Sequence, residues 1–210
     1  MNEGMQNQKS DTYNTVEIAT GDVLYKDRGS KFIGYVYPIS NELNIKRHLE
    51  GLKKKHHAAS HICYAWQLGL SSSKYRINDD GEPNNSAGQP IYGQIVSKGL
   101  RNVLVVVIRY FGGTKLGVGG LISAYRTSAK MVLEKSIIIE KTIDVYYQLN
   151  FEYKDVNKVM RIIKENDVKM IKNLMELSCV FRIAVRQKDS AKIESLFAEL
   201  QGLEINKISE

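Results

Sequence analysis

Three carboxylates stand close together in residues 76–90, RINDDGEPNNSAGQP: Asp79, Asp80 and Glu82. Such a cluster could hold a divalent cation or transfer protons in acid–base catalysis. The three lie too close in sequence for an acid and a base to approach one bond from opposite sides, and the EF-hand pattern is absent. Asp-Gly followed by Glu-Pro is typical of turns, in which aspartate side chains accept backbone N–H bonds. The segment predicts a structured loop, with an ion or catalytic site as the alternative.

All four histidines fall between His48 and His61, shortly before the acidic segment. His57 and His61 have the spacing that places two imidazoles on one helical face, as in zinc sites. No HExxH motif is present, and His61 opens the strand-like run HICYAWQLGL, so the helical spacing does not apply. We expect solvated or structural histidines and no bound metal, His56 included. A metal-dependent hydrolase that combines the three carboxylates with a histidine remains an alternative.

The glycine-rich segment GGTKLGVGG, residues 112–120, lies between a strand-like run and a helix-like run. It matches neither GxxxxGK[ST] nor GxGxxG, so we expect no nucleotide cofactor, and no other cofactor. Free N–H groups and the positive end of a helix dipole nevertheless favour an anion at such a place. Arg109, Lys115 and Arg126 add full positive charges.

Arg109 ends the apolar run NVLVVVIRYF, which predicts a central strand covered on both faces. Tyr110, Phe111 and the glycine-rich segment follow at once. We expect a charge-assisted hydrogen bond from Arg109 to Asp79 or Asp80 that joins the two motifs into one surface.

The elements that must position these residues change in character along the chain. Up to residue 139 the pattern is mixed α/β. It predicts a hairpin around Gly21-Asp22, a strand at 30–39, a helix at 42–56 capped by Ser40-Asn41, the strands HICYAWQLGL and NVLVVVIRYF, and helices at 90–98 and 121–136. From residue 140 the order is strand–helix–strand–strand–helix–strand, as in the ferredoxin-like fold. We predict an α+β protein with two domains, 1–139 and 140–210.

Composition narrows the functional class. The chain has 210 residues, a formal net charge of +7 and a pI of about 9.2, a balance that favours polyanionic partners. No apolar run approaches the ~20 residues of a membrane span, and residues 1–14 lack the apolar core of a signal peptide, so we expect a cytoplasmic protein. Cys63 and Cys179 lie in strand-like runs without metal-type spacing and are expected to be buried free thiols. GxSxG and a nucleophilic triad are absent, so the sequence gives a nucleophilic enzyme no support; whether any catalytic activity exists stays open.

The motifs DDGEP, SAGQPI and VIRYFGGTKLGVGGLISAY, in this order, resemble the signature of the IMPACT/YigZ family. KFIGYVYPI and HICYAWQLG match its earlier segments, and the C-terminal part matches the small domain of the bacterial members. One departure is visible: Asn85-Ser86 stand where the family usually has Gly-Thr. Because Asn tolerates left-handed backbone angles, we expect the loop to keep its shape.

The resemblance implies an N-terminal domain similar to domain 2 of ribosomal protein S5 and a C-terminal domain similar to the last domain (domain V) of elongation factor G. Eukaryotic members regulate translation through an additional N-terminal domain that this sequence lacks. We therefore expect a non-enzymatic protein that modulates translation by binding RNA or the ribosome; a protein–protein adaptor is a further alternative. The RNA, the protein partner and the oligomeric state stay open, as does whether the histidines converge on the acidic loop.

Two sets of residues are expected to form the functional surface. The motif loop consists of Asp79, Asp80, Gly81, Glu82, Pro83, Ser86, Gly88 and Pro90. The ligand- or nucleic-acid-binding surface consists of Arg109, Tyr110, Gly112, Gly113, Lys115, Gly117, Gly119, Gly120 and Arg126.

Overall fold

The computed structural model describes residues 11–70 and 74–209. They form two compact units, one comprising Tyr13–Lys141 and the other comprising the residues from Thr142 onward together with those before Tyr13. The predicted α+β class, with a mixed first unit and a ferredoxin-like second unit, is confirmed. Residues 1–10 of the predicted first domain lie outside the described residues. None of the helices in the described ranges has the length and apolar character needed to cross a bilayer.

The first unit is built on a five-stranded antiparallel sheet with helices on both faces. Its strand order is β2-β3-β6-β4-β5, and β1 and β7 pair separately as a two-stranded sheet. The strands are β1 (Thr12–Val16), β2 (Thr20–Asp27), β3 (Ser30–Pro38), β4 (His61–Leu68), β5 (Lys74–Asn78), β6 (Val103–Tyr110) and β7 (Ile138–Thr142). The helices are α1 (Glu42–Lys55), α2 (Gly88–Ser97) and α3 (Gly117–Glu134).

Strand β6 occupies the centre of this sheet, and its residues from Val103 to Ile108 have no exposed surface. Because side chains alternate along a strand, Val105 and its like-facing neighbours pack with α2 and α3, whereas Leu104 and its like-facing neighbours pack with α1. The prediction of a central strand covered on both faces is confirmed. The predicted cap at Ser40-Asn41 is confirmed: Asn41 is the N-cap of α1, and its side chain accepts a hydrogen bond from the Asn44 N–H.

Three local predictions for this unit were wrong. Gly21 and Asp22 do not form a hairpin turn; they lie inside β2 at a register shift, and β1 pairs with β7 instead. Strand β5 was assigned to the acidic loop, because its polar and charged residues show little apolar alternation at the edge of the sheet. Helix α3 begins at Gly117, four residues earlier than predicted, so its first turn lies within the glycine-rich segment.

The second unit has the ferredoxin-like strand order β11-β8-β10-β9 in an antiparallel sheet. Side chains such as Leu149, Phe181, Ile183 and Phe197 form one apolar core between this sheet and its helices. The elements are β8 (Asp144–Glu152), α4 (Val156–Glu165), β9 (Lys169–Leu174), β10 (Ser178–Arg186), α5 (Ser190–Ala198) and β11 (Glu204–Ile208).

Candidate functional site

The acidic loop that follows β5 is held in shape by its own aspartates. The Asp79 carboxylate accepts hydrogen bonds from the N–H groups of Asn85, Ala87 and Gly88 at 2.9, 3.0 and 2.8 Å. The Asp80 carboxylate accepts one from the Ile62 N–H at 2.6 Å. The prediction of a structured loop is confirmed, since both carboxylates hold backbone groups.

Backbone geometry accounts for several other members of this loop. Gly81 has a φ of +86° and Asn85 a φ of +63°, so the departure at Asn85 keeps the left-handed conformation, as expected. A Cβ at Gly88 would lie 2.8 Å from the Asn78 nitrogen, which leaves room for glycine alone. Ser86 and Pro90 are buried, whereas Pro83 is exposed.

Glu82, and not Asp79 or Asp80, is the partner of Arg109, so that prediction was wrong. The Arg109 Nη1 donates to Glu82 Oε1 at 2.6 Å, and the Tyr125 hydroxyl donates to the same oxygen at 2.7 Å. Both side chains of the ion pair are about 5% exposed. The two aspartates are drawn instead to the N–H groups of their own loop and of β4. Arg109 therefore joins the two motifs through a buried pair.

More polar groups surround this buried pair. The Cys63 thiol donates to the Asp79 carbonyl oxygen at 3.0 Å, and burial raises the pKa of this thiol, so it stays protonated. Burial likewise raises the pKa of the Tyr125 hydroxyl, which keeps it a donor to Glu82. The guanidinium carbon of Arg109 lies over the rings of Phe32 and Phe111 at 5.6 and 5.5 Å. The side chain of Arg109 thus supports the surface from beneath.

The first glycine of the glycine-rich segment is required by a close approach of two backbones. A Cβ at Gly112 would overlap the backbone of Gly29 and Ser30 in the turn between β2 and β3. The Ser30 hydroxyl also accepts a hydrogen bond from the Gly112 N–H at 3.2 Å. Gly113 has a φ of +87° and open space around it, so its backbone angle alone requires glycine.

The rest of the predicted binding surface lies at or just before the start of α3, except for Arg126 in the third turn of this helix. Gly117, Gly119 and Gly120 belong to the first two turns of the helix, and no side chain caps its N-terminus. Lys115 and Arg126 are exposed. Backbone N–H groups at the start of α3 and the exposed Lys115 before it are thus available to a ligand.

A cleft of about 320 Å³ opens beside the Arg109–Gly113 segment. Lys31 and Tyr110 stand directly opposite each other on β3 and β6, on the sheet face that α1 also covers. Phe111 is 50% exposed. The cleft is lined by Gly29, Lys31, Ile33, His56, Tyr110 and Phe111.

The histidines separate into different environments. His61 opens β4, as predicted, and its Nδ1 lies 2.8 Å from the Asp80 carbonyl oxygen while its Nε2 lies 3.9 Å from Glu82. His48 stacks on Tyr37 at 4.1 Å, His56 is buried and His57 is exposed. One histidine therefore meets the acidic loop. Within residues 11–70 and 74–209, no group of three His, Cys, Asp or Glu side chains could hold a metal ion.

Sequence reasoning missed Tyr125, Ser30 and His56 as polar members of this region. Tyr125 was assigned to the apolar stripe of α3, which is where its ring lies; its hydroxyl adds the polar contact. A serine beside a turn glycine and a histidine at a helix end carry no distinctive pattern. Cys63 and Cys179 are buried free thiols, as predicted.

Comparison with known proteins gives this geometry a family context. Residues 28–133 match the family described as the Impact N-terminal domain. The chain is 29% identical to IMPACT family member YigZ of Escherichia coli over 187 residues, which cover 88% of this chain and 90% of that protein. It is 29% identical to IMPACT family member YvyE of Bacillus subtilis over 171 residues, covering 81% and 79%. A solved structure described as a hypothetical protein matches with a TM-score of 0.72 at 25% identity, covering 96% of this chain and all of that one. Because the family match spans half of its 210 residues, the chain belongs to the IMPACT family.

Proposed function

We propose that this protein binds RNA, alone or within the ribosome, and thereby modulates translation without catalysing a reaction. Family membership supports the link to translation, because the family's eukaryotic members regulate it. The observation that carries the proposal is the exposed aromatic and basic surface around Phe111. We call this the RYFGG surface: Lys31, Tyr110, Phe111, Gly112, Gly113, Lys115, Gly117, Gly119, Gly120 and Arg126.

The chemistry of the RYFGG surface suits single-stranded RNA. Phe111 is 50% exposed, and exposed aromatic rings stack on unpaired bases whatever their sequence. Lys31 and Lys115 supply cations for the phosphate backbone. The glycines bring backbone N–H groups at the start of α3 to the surface without side chains in the way.

Arg109 acts in this proposal as a support. Its guanidinium is bonded to Glu82 and stacked beneath Phe111, so it fixes the ring that meets the ligand. The metal-dependent hydrolase gains no support from these contacts, since Asp79 and Asp80 each hold backbone N–H groups.

Salt-dependent binding of a fluorescent single-stranded RNA tests the proposal. Each phosphate contact contributes roughly 0.7 to the slope of log K against log salt. Lys31→Ala and Lys115→Ala should each weaken binding and lower that slope by about one contact, whereas Lys188→Ala, an exposed lysine of the second unit, should not. Equal binding by all three variants would place the RNA elsewhere.

Sedimentation with ribosomal particles at low and moderate salt tests the link to translation. We expect association that weakens with salt and with Lys31→Ala. Absence of both RNA binding and co-sedimentation contradicts the proposal, and a protein partner captured equally well after ribonuclease treatment would favour the adaptor. A cytoplasmic location, and the relation of residues 1–139 and 140–210 to the domains of ribosomal protein S5 and elongation factor G, are parts of the same proposal.

A further inference from the structure

A chain of hydrogen bonds ends in the cleft at Tyr110. The Tyr110 hydroxyl lies 2.9 Å from His56 Nδ1, and His56 Nε2 lies 2.8 Å from the Tyr35 hydroxyl. Tyr35 in turn donates to the Asp22 carboxylate, which also accepts two 2.8 Å bonds from the Lys55 ammonium. Five side chains from four elements and a helix end thus form one connected network.

The fold positions Asp22 for this network with two unusual backbone features. The register shift in β2 places Asp22 at a φ of +55°. A Cβ at Gly21 would overlap the Tyr35 ring, so this position requires glycine for the ring to lie where it does. Such bulges redirect a side chain away from the regular alternation of a strand. The network is therefore a specific product of the local sequence Gly21-Asp22.

The positions of the protons follow from the carboxylate at its end. The hydrogen bond from Lys55 and then that from Tyr35 lower the pKa of Asp22, so this group is ionised and can only accept. The Tyr35 hydroxyl must then donate its single proton to Asp22. Burial raises the pKa of Tyr35 to about 12, which keeps this hydroxyl protonated. The Tyr35 oxygen therefore accepts a hydrogen bond from His56 Nε2–H.

The tautomer of His56 determines which group donates in its hydrogen bond with Tyr110. Burial lowers the pKa of His56, with Lys55 adding to the effect, so the ring is neutral near pH 7. A neutral imidazole with its proton on Nε2 has only a lone pair on Nδ1. Tyr110 consequently donates its proton to His56. Its oxygen retains lone pairs for the cleft and has no proton to offer there.

We infer that the cleft receives one unpaired RNA base with an amino group at its outer edge, cytosine or adenine, and that this amino group donates to the Tyr110 oxygen. The inference rests on the proposed function and names the bases that the cleft prefers. The discrimination concerns the exocyclic group at position 4 of a pyrimidine or position 6 of a purine: cytosine N4 and adenine N6 are donors, whereas uracil O4 and guanine O6 are acceptors that would face a second acceptor. Phe111 and the Tyr110 ring offer apolar faces for the base, and Lys31 offers a cation for its phosphate. A volume of about 320 Å³ lies at the lower end of small-ligand sites, ~300–1,000 Å³.

Oligocytidine and oligouridine of equal length provide the sharpest test, because they share a backbone and a pyrimidine ring. Wild-type protein should bind oligocytidine about two- to tenfold more tightly, as expected for one neutral hydrogen bond. Tyr110→Phe should abolish this preference, because oligocytidine loses the acceptor for its amino group and oligouridine no longer faces an opposing acceptor. Tyr37→Phe, a half-buried tyrosine on the same sheet face, should keep the preference and controls for general effects of losing a hydroxyl.

Tyr35→Phe tests the network at a distance from the ligand. It removes the link to Asp22, so His56 can turn its proton toward Tyr110 and Tyr110 can donate into the cleft. The preference for cytosine should fall although Tyr110 remains, and circular dichroism should verify that the variant is folded. Retention of the full preference in both Tyr110→Phe and Tyr35→Phe would overturn the inference.

The remaining outcomes separate this inference from the function on which it rests. Binding of both oligonucleotides with equal affinity overturns the base preference and leaves RNA binding intact. Binding of neither contradicts the proposed function itself. Cytidine monophosphate that binds as tightly as oligocytidine would assign the cleft to a free nucleotide and overturn the assignment to RNA.

Discussion

In the first unit, the loops at one end of the sheet are held by buried polar groups, whereas the second unit is held by a plain apolar core. Of the nine polar or charged residues that are buried in the described part of the chain, eight lie in the first unit and only Asp155 lies in the second. The first unit also contains glycines at which any side chain would meet neighbouring backbone. Its dense motifs thus encode backbone geometry, and the binding proposed for it falls to the exposed side chains and to the backbone N–H groups at the start of α3.

The largest expected effect is a loss of stability in the first unit, tested by replacing one arginine on a central strand of each unit. Arg109→Ala should lower the free energy of unfolding of the first unit by about 3–5 kcal/mol, because Glu82 is left buried without its cation. Arg109→Lys should restore part of this loss, since one ammonium cannot reproduce the planar guanidinium. Trp66, the chain's only tryptophan, lies in the first unit and reports its unfolding in urea by fluorescence.

Arg182→Ala is the matched control on β10 of the second unit. Arg182 is exposed and donates to Gln148 at 3.3 Å, so its removal should change the free energy of unfolding of the second unit, followed by circular dichroism, by no more than about 0.5 kcal/mol. Equal effects at Arg109 and Arg182 would show that the buried pair contributes nothing particular to the first unit.

Two glycines of one motif sharpen the comparison further. Gly112→Ala should destabilise the first unit by about 1–3 kcal/mol, because its Cβ would overlap the Gly29 backbone. Gly119→Ala has open space in the first turn of α3 and should be neutral or stabilising by up to ~1 kcal/mol. Urea unfolding followed at Trp66 measures both. A stable Gly112→Ala variant would refute the backbone contact between the two turns.

Asp79→Asn tests the acidic loop with almost no change in shape. In wild type, backbone N–H groups donate to both carboxylate oxygens of Asp79. In the variant the amide NH₂ group would face one of these donors, and the negative charge would be lost. We expect a loss of about 1–2 kcal/mol, less than for a fully buried charge. Asp189→Asn, at an exposed position in the second unit, should leave the denaturation midpoint unchanged. A larger effect at Asp189 would reverse the proposed contrast between the units.

The smallest expected effect is a pH dependence of the first unit at His56. Burial, and then Lys55, lower its pKa below 6.5, with Asp22 opposing, so the folded state favours the neutral ring. The stability that the neutral ring contributes is fully present above pH 6.5, the pKa of an unfolded histidine. It is lost as the pH falls through the lower pKa of His56 in the folded state. Wild type should therefore lose more stability than His56→Gln between pH 7.5 and pH 5 when unfolding is followed at Trp66. Parallel curves for the two proteins would contradict the buried, neutral state.

Local patterns predicted the elements well where local forces decide them. Three features could be predicted because each depends on residues that are neighbours in sequence: the apolar run of β6, the Asn41 cap and the βαββαβ order of the second unit. The partner of Arg109 was not, because three carboxylates within four residues are equivalent until the fold orients them. The pairing of β1 with β7 joins residues far apart in sequence, and β5 is a polar edge strand without apolar alternation.

The pairing partners of Asp11 have a consequence for the order of events during synthesis. Asp11 accepts the Ile143 N–H at 2.7 Å through its carbonyl oxygen and the Arg186 guanidinium at 2.5 Å through its carboxylate. Arg186 follows it by 175 residues, which a ribosome adds in roughly 10–35 s. Asp11 therefore cannot form this ion pair until 175 further residues have been made. The second unit completes this ion pair only after all residues of the first unit have been synthesised.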